Sequence, residues 1–337
     1  MLRAGLIGCG SISKAHTGAY EQIAKEKNNV VLEAVCDIRP EQLERFGDDV
    51  RKYTSVAEML EKEQGKLDYV DICVPTYLHS EIAIQAMEAG FHVLSEKPMA
   101  RTVEQAEAMV EASKRTGKTL MIGHCCRFYS VPDLIRETIA SGELGKVRSA
   151  EFYREGGSKE PFGWNNWFVD GDLSGGAMLD LHIHDVDVLR EFLGVPKAVS
   201  AVASSVKTKN GYDAMSVNYV YEDGVFAHAL CDWTIAHDKF NTRTVRVNFE
   251  NGYIFGDRTH TPGRTALVKV NSEDGTVTDY TEGMTFNAHK NEIVYFVDCL
   301  ENGKFPDRCP PEQSVEAVKI VMAEIASADQ GGALVEV

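Results

Sequence analysis

Asp180 and His184 stand four positions apart in the run SGGAMLDLHIHDVDVLREFLG. On a helix that spacing puts both side chains on one face. A histidine beside a carboxylate is a proton acceptor suited to neutral pH. Apolar residues at Met178, Leu181, Val188, Leu189 and Phe192 fit a helix from Ser174 to Leu193. The same run holds His182-Ile183-His184-Asp185, and alternate histidines share a face in a strand, where they make a metal site. In a helix they diverge by roughly 200°, so no metal is expected and His182 is left without a role. Taken alone, Asp180 and His184 also read as a solvated acid and a core histidine.

A second group of residues lies at the start of the chain. Gly8-Cys9-Gly10-Ser11-Ile12-Ser13 follows the first strand and opens the first helix. Gly8 permits a tight turn, Gly10 lets the backbone approach a pyrophosphate, and Ser13 takes the third position, where helix and strand pack closely. Amides at the start of that helix, Ser11 and Ile12 among them, are expected to hold the phosphates. Asp37 follows 29 positions after Gly8 (37 − 8), against ~20 in the usual fingerprint, and the long first helix accounts for the excess. A carboxylate there accepts from both ribose hydroxyls and repels a 2′-phosphate, so NAD is expected over NADP. Arg39 could instead stack on adenine or meet a phosphate, which keeps NADP as the alternative.

Glu96-Lys97-Pro98 follows the strand Phe91–Leu94. In an open α/β sheet ligands lie outside the carboxyl ends of the strands, so Lys97 points at the site and Pro98 fixes its backbone. Arg127, after the last strand of this region, holds either the crossing between domains or a substrate oxygen. Trp164 and Trp167 would make an apolar wall for a sugar face, or pack their own loop. Tyr153 would present a hydroxyl.

These residues need a scaffold, and the patterning supplies one. Residues 1–123 alternate strand and helix: Leu2–Ile7, Ser11–Lys27, Val30–Cys36, Pro40–Phe46, Ser55–Glu63, Asp68–Val74, Glu81–Glu88, Phe91–Leu94, Val103–Arg115 and Thr119–Ile122. That order predicts an α/β Rossmann domain with a doubly wound parallel sheet. Residues 124–337 read as an α+β domain for substrate and assembly, with a large, mostly antiparallel open sheet from Ala198 to Tyr280 and closing helices over Asn287–Glu301 and Pro311–Ala328. Val217, Tyr219, Val220, Phe226 and Ala229 mark an apolar sheet face without helical cover, so a homodimer or homotetramer with two-fold symmetry is expected.

The formal net charge is −16. It disfavours nucleic acid and anionic membrane surfaces, and also multiply anionic substrates unless a local basic cluster overrides it. None of the eight cysteines makes a C-x-x-C pair. Their place in apolar runs, with no leader peptide or membrane-length apolar stretch, predicts a cytoplasmic protein.

Taken together, GCGSIS, VPTYLH at 74–79, EKP at 96–98 and GGAMLDLHIHDVD at 175–187 resemble the Gfo/Idh/MocA oxidoreductase family, which includes inositol dehydrogenases and glucose–fructose oxidoreductase. The resemblance covers nearly the whole chain; its more specific parts are EKP and the D-x-x-x-H element, and the family more often has glycine at the position of His182. It implies that Val74, Pro75, Thr76 and His79 line the cofactor near the nicotinamide ribose, with Glu96 and Lys97 beside them, and that Lys97 is catalytic. The expected reaction moves a hydride between NAD and a secondary alcohol carbon of a sugar or cyclic polyol. His184, aided by Asp180, takes the hydroxyl proton, and Lys97 stabilises the developing charge. Two alternatives stay open: a glycosidase-like enzyme that keeps NAD bound through a transient oxidation, and a non-catalytic NAD-binding sensor.

Overall fold

The short apolar runs at the start of the chain become parallel strands, and the amphipathic runs between them become helices. The computed structural model describes every residue except Asn28, 158–162, 236–240, 259–264 and 285–286. Strands β1 (Leu2–Ile7), β2 (Val30–Cys36), β3 (Arg51–Tyr53), β4 (Tyr69–Ile72), β5 (His92–Glu96) and β6 (Leu120–Gly123) lie parallel in the order β3-β2-β1-β4-β5-β6. This is the dinucleotide-fold order, whose direction reverses between β1 and β4 and opens a crevice at the strands' carboxyl ends. Helices α1 (Ser13–Glu26), α2 (Val56–Glu63), α3 (His79–Glu88) and α4 (Val103–Thr116) connect the strands. Local chemistry sets the limits of α4: Thr102 accepts from the Gln105 amide at 3.3 Å, and Gly117 ends the helix at φ 68°.

Two expectations change here. Pro40–Phe46 holds only a 3-10 turn, Pro40–Gln42, rather than a helix. Arg51–Tyr53 adds a strand that the pattern did not announce, because three residues are too few to carry an alternation.

The chain divides into two compact units, Met1–Cys125 with Asn287–Val315, and Cys126–Phe286 with Glu316–Val337. In the second, α5 (Ser130–Ser141) precedes a nine-stranded sheet. Its strands are β7 (Val147–Gly157), β8 (Ala198–Ser204), β9 (Ala214–Val220), β10 (Phe226–Ile235), β11 (Asn241–Phe249), β12 (Gly252–Arg258), β13 (Ala266–Asn271), β14 (Val277–Asp279) and β15 (Val335–Glu336). They run in the order β14-β13-β12-β11-β7-β10-β9-β8-β15, antiparallel except for the β7–β10 pair. Between β7 and β8 come α6 (Gly171–Ser174), a π-helical turn (Met178–His182) and α7 (Ile183–Leu193).

The single helix expected over Ser174–Leu193 is therefore broken. Gly175 and Gly176 sit at φ 86° and 66°, and a Cβ on Gly176 would lie 2.7 Å from the Tyr212 carbonyl oxygen. The chain turns sharply there before it winds up again.

The helices α8 (Ala288–Glu301) and α9 (Pro311–Asp329) close the chain. Residues 287–315 leave the span read as the second domain, because α8 packs on the first unit. Asn287 Nδ2 donates to Gln22 Oε1 at 2.6 Å, Lys290 pairs with Glu26, and Phe296 meets Tyr69 edge-on at 5.3 Å.

The apolar sheet face also needs correction. Val217, Tyr219 and Ala229 are buried inside the second unit, whereas Val220 and Phe226 are 43% and 56% exposed on the opposite face. Side chains alternate along a strand, and the inner set is covered by the π turn and α9. His182 Nε2 lies 3.0 Å from the Tyr219 hydroxyl, and Ser327 Oγ accepts from the Ala201 amide at 2.9 Å. Among the described residues, no helix is long and apolar enough to cross a membrane.

The turns after β1 and β4 touch at the reversal point. Gly8 has φ 92°, and a Cβ there would lie 2.6 Å from the carbonyl carbon and oxygen of Cys73, whereas a Cβ on Gly10 would meet nothing within 4 Å. Gly8→Ala is therefore expected to lose roughly 1–3 kcal/mol or more, and Gly10→Ala no more than about 0.5 kcal/mol. Urea unfolding of both variants checks this; equal losses would overturn it.

Candidate active site

Asp37 closes the glycine turn from the end of β2. Its Oδ2 accepts from the Cys9 amide at 2.8 Å, and its Oδ1 accepts from the Arg39 amide at 2.9 Å, with Arg39 Nε 3.5 Å away. A carboxylate has about four lone-pair directions, so two fixed amides leave room for ribose hydroxyls. Ser13 is fully buried; its Oγ donates to the Gly10 carbonyl at 2.6 Å and accepts from Arg45 Nη2 at 2.7 Å. No side chain caps α1 and no acid stands in its first turn, which suits its N-terminus to an anion. The open space at Gly10, the helix start and Asp37 fit a dinucleotide. Burial pushes the Cys9 thiol up to about 12, so it is a packing residue.

The segment after β5 is held from below. Glu96 is buried; its Oε1 meets His16 Nε2 at 2.9 Å, and its Oε2 accepts from the Lys97 amide at 3.1 Å. His16 Nδ1 meets Asp71 Oδ2 at 2.8 Å, the Tyr20 hydroxyl donates to the same oxygen at 2.9 Å, and the Tyr69 hydroxyl donates to Tyr20 at 2.9 Å. Burial pushes the imidazole towards its neutral form, but Asp71 more than offsets this and holds its pKa well above the ordinary value. Burial likewise pushes the Glu96 carboxyl up, and His16 brings it below the usual range. His16, Glu96, His289 and Glu292 bring ligand-type atoms within 4.8 Å of one another. Both nitrogens of His16 face carboxylates, so an imidazolium supplies the positive charge there.

These contacts also hold two residues read as lining the cofactor. Glu96 bonds inward to His16 and to the Lys97 amide. His79 is also buried, with Nδ1 2.7 Å from the Pro98 carbonyl and Nε2 2.9 Å from the Val74 carbonyl. It ties the Val74-Pro75-Thr76 turn to the Lys97-Pro98 segment, whose peptide bond is cis. Thr76 is buried and Pro75 and Lys97 are half-buried.

In the second unit, Asp180 lies within the π turn, half-buried, and buried His184 lies in the first turn of α7. The wider π turn alters the plain i, i+4 relation that a continuous α-helix would give. Ion pairs fix α7. Asp185 takes Arg154 Nε and Nη2 at 2.7 and 2.5 Å. Asp187 takes Arg127 Nε and Nη2 at 2.8 and 2.7 Å, and Arg190 pairs with Glu316 at 2.5 Å.

Arg127 is thus a buried cation, 1% exposed, that pairs with Asp187. His182 finds its role here: fully buried, with Nε2 also 3.2 Å from Glu324 Oε2, it faces the sheet. Burial lowers its pKa, and Glu324 outweighs burial and raises it. Among the described residues, no group of ligand-type side chains holds both His182 and His184.

Tyr153 stands on the sheet face opposite Arg154, its hydroxyl bonded to Glu155. The Trp167 ring packs against Phe168 at 4.3 Å, and Trp164 is exposed. Part of their loop, 158–162, lies outside the described residues.

Comparison with known proteins follows the same division. Residues 2–124 match the family model described as "Oxidoreductase family, NAD-binding Rossmann fold", and residues 133–255 match the GFO/IDH/MocA C-terminal domain. The chain belongs to the Gfo/Idh/MocA oxidoreductase family.

Its first unit is the NAD-binding Rossmann domain of that family. Among relatives, D-glucoside 3-dehydrogenase of Escherichia coli strain K12 is 34% identical over 213 residues, 60% of this chain and 57% of that protein. Levoglucosan dehydrogenase of Pseudarthrobacter phenanthrenivorans is 32% identical over 216 residues, 60% of this chain and 54% of that protein. The chain thus matches just over half the length of these relatives. A solved structure of levoglucosan dehydrogenase in complex with NADH superposes with a TM-score of 0.86 at 24% identity, covering 100% of this chain and 99% of that one. That likeness shows the Gfo/Idh/MocA fold.

Sequence reasoning missed His16, Asp71 and Arg154. One signal for the first pair was present: Asp71 interrupts the apolar strand YVDIC, and a buried acid needs a partner. Nothing local names α1 as the source of that partner.

The charged His16 generates a pH dependence. Its folded pKa is raised, so its stabilisation is fully present below about 6.5, the ordinary histidine value, and is lost as pH rises through the folded value. The stability gap between wild type and His16→Gln should therefore be widest near about pH 6 and narrow in alkaline solution. Urea midpoints across that range measure it, and a constant gap would mean a neutral imidazole.

Proposed function

We propose that this chain is an NAD-dependent dehydrogenase that moves a hydride between a secondary alcohol carbon of a sugar or cyclic polyol and nicotinamide. The observation that carries the reading is Lys97, held at the carboxyl end of β5 by a buried carboxylate that is itself held by His16. It sits in a domain whose glycine turn and Asp37 fit a dinucleotide. The sugar dehydrogenases among the relatives support the substrate class.

Bound NAD supplies the hydride acceptor. Lys97 donates a hydrogen bond to the reacting oxygen and stabilises its developing negative charge. His184 takes the hydroxyl proton, aided by Asp180 in the turn before it. Asp37 selects NAD by accepting from the ribose hydroxyls, and Gly10, Ser11 and Ile12 bring backbone amides to the pyrophosphate. Pro75 and Thr76 line the nicotinamide side, with His79 holding their turn in place. Trp167 offers an apolar face to the sugar ring. The exposed cross-strand pair Val220 and Phe226 marks the sheet face on which a second copy would assemble.

Lys97→Ala should lower the turnover rate by roughly 10²–10³-fold, with NAD affinity retained. His184→Ala should also lower it, and the double variant should lose less than the product, because residues acting as a unit are non-additive. Steady-state NAD reduction over a panel of polyols and aldoses, with NAD and NADP binding by calorimetry, tests all of this. Near-normal turnover in Lys97→Ala would remove the reading, and a clear NADP preference would transfer cofactor selection from Asp37 to Arg39.

A further inference from the structure

Strand register in the second sheet brings three arginines into one row. Arg243 on β11 is the direct cross-strand partner of both Arg154 on β7 and Arg258 on β12. Direct partners project from the same face, and like charges so placed destabilise a sheet. A sequence with net charge −16 nevertheless concentrates three cations here.

Part of that charge is answered within the unit. Asp185 takes two of Arg154's nitrogens. The Tyr129 ring lies 5.8 Å from the Arg243 guanidinium carbon and 5.4 Å from that of Arg258. Cys126 Sγ lies 3.8 Å from Arg154 Nη2 and 3.9 Å from Arg243 Nη1.

Part of the charge is left over. Arg154 is 4% exposed, and its Nη1 is buried without a hydrogen-bond partner; Arg243 Nε on the neighbouring strand is in the same state. A buried polar group left unmade costs about 1–3 kcal/mol, and more when charged. Planar guanidinium forks are best matched by oxyanions.

The row also lies close to the turn that carries Asp180. Cys231 pairs with Arg154 across the sheet. Two residues beyond Arg154, a Cβ on Gly156 would lie 3.4 Å from Leu181 of that turn.

We infer that Arg154, Arg243 and Arg258 form an oxyanion subsite that recognises the carboxylate or phosphate of an anionic sugar. The sugar part of the inference rests on the dehydrogenase reading above, and the oxyanion part rests on the arginine row alone. The row is the local basic cluster that an acidic protein needs if it is to admit an anionic substrate.

The test uses the full chain with NAD bound. Calorimetry with D-glucuronate, D-gluconate, glucose 6-phosphate and glucose is run on wild type, Arg243→Gln and Arg243→Lys, with NAD reduction followed in parallel. At least one anion should bind ~10–10²-fold more tightly than glucose, less so as salt is added. That advantage should vanish in Arg243→Gln and survive in part in Arg243→Lys. Uronate and aldonate against the phosphate ester separate the two oxyanions. An anion preference that persists in Arg243→Gln, or no Arg243-dependent binding of any of the anions, overturns the subsite. Arg243-dependent anion binding without any NAD reduction keeps the subsite and removes the dehydrogenase reading instead.

Discussion

A charge buried away from water must be answered by opposite charge at contact distance, and both chemical segments of this protein hang on that requirement. Breaking such a pair by removing one partner costs about 3–5 kcal/mol. In the first unit the sequence Asp71–His16–Glu96 crosses from β4 through α1 to β5 and ends on the Lys97 amide. In the second unit Arg154–Asp185 and Arg127–Asp187 fasten α7 at the positions just after His184. Lys97 and His184 are each the chain neighbour of a buried acid whose cation lies far away in sequence. The acids are anchored, and the neighbouring side chains are placed as a result.

This arrangement explains what was legible in the sequence and what was not. The glycine turn, Asp37 and the alternation of strands and helices are local patterns, and local patterns survive in a string of letters. The fold class was readable for that reason, as was the antiparallel series of the second sheet. The partner of Asp71 lies 55 residues away and that of Glu96 lies 80 residues away, and no periodicity reports such pairings. The π turn was illegible for a different reason. Met178, Leu181 and Val188 satisfy an α-helical spacing, while Gly175 and Gly176 reset the path just before them. His182 had no assignable role until the sheet beneath it supplied Tyr219 and α9 supplied Glu324.

The two faces of the second sheet show how a period-2 pattern can mislead. Val217, Tyr219 and Ala229 were grouped with Val220 and Phe226 because all are apolar. Parity separates them: the odd-numbered set packs under the π turn and α9, and Val220 and Phe226 face the other way. The same parity puts Tyr153 and Glu155 on one face and Arg154 on the other. Each strand of this sheet therefore carries two vocabularies, one for packing and charge compensation and one for the outside.

The return of α8 to the first unit has a consequence for how the chain comes into being. A protein emerges from the ribosome in order, and its domains fold as they are completed. Here the Rossmann unit is not complete when its sixth strand emerges at Gly123, because the helix that covers Tyr69 arrives only with Ala288–Glu301. The second unit's sheet is synthesised in the interval. The nucleotide-binding unit is thus finished late in translation, after most of the second unit has left the exit tunnel.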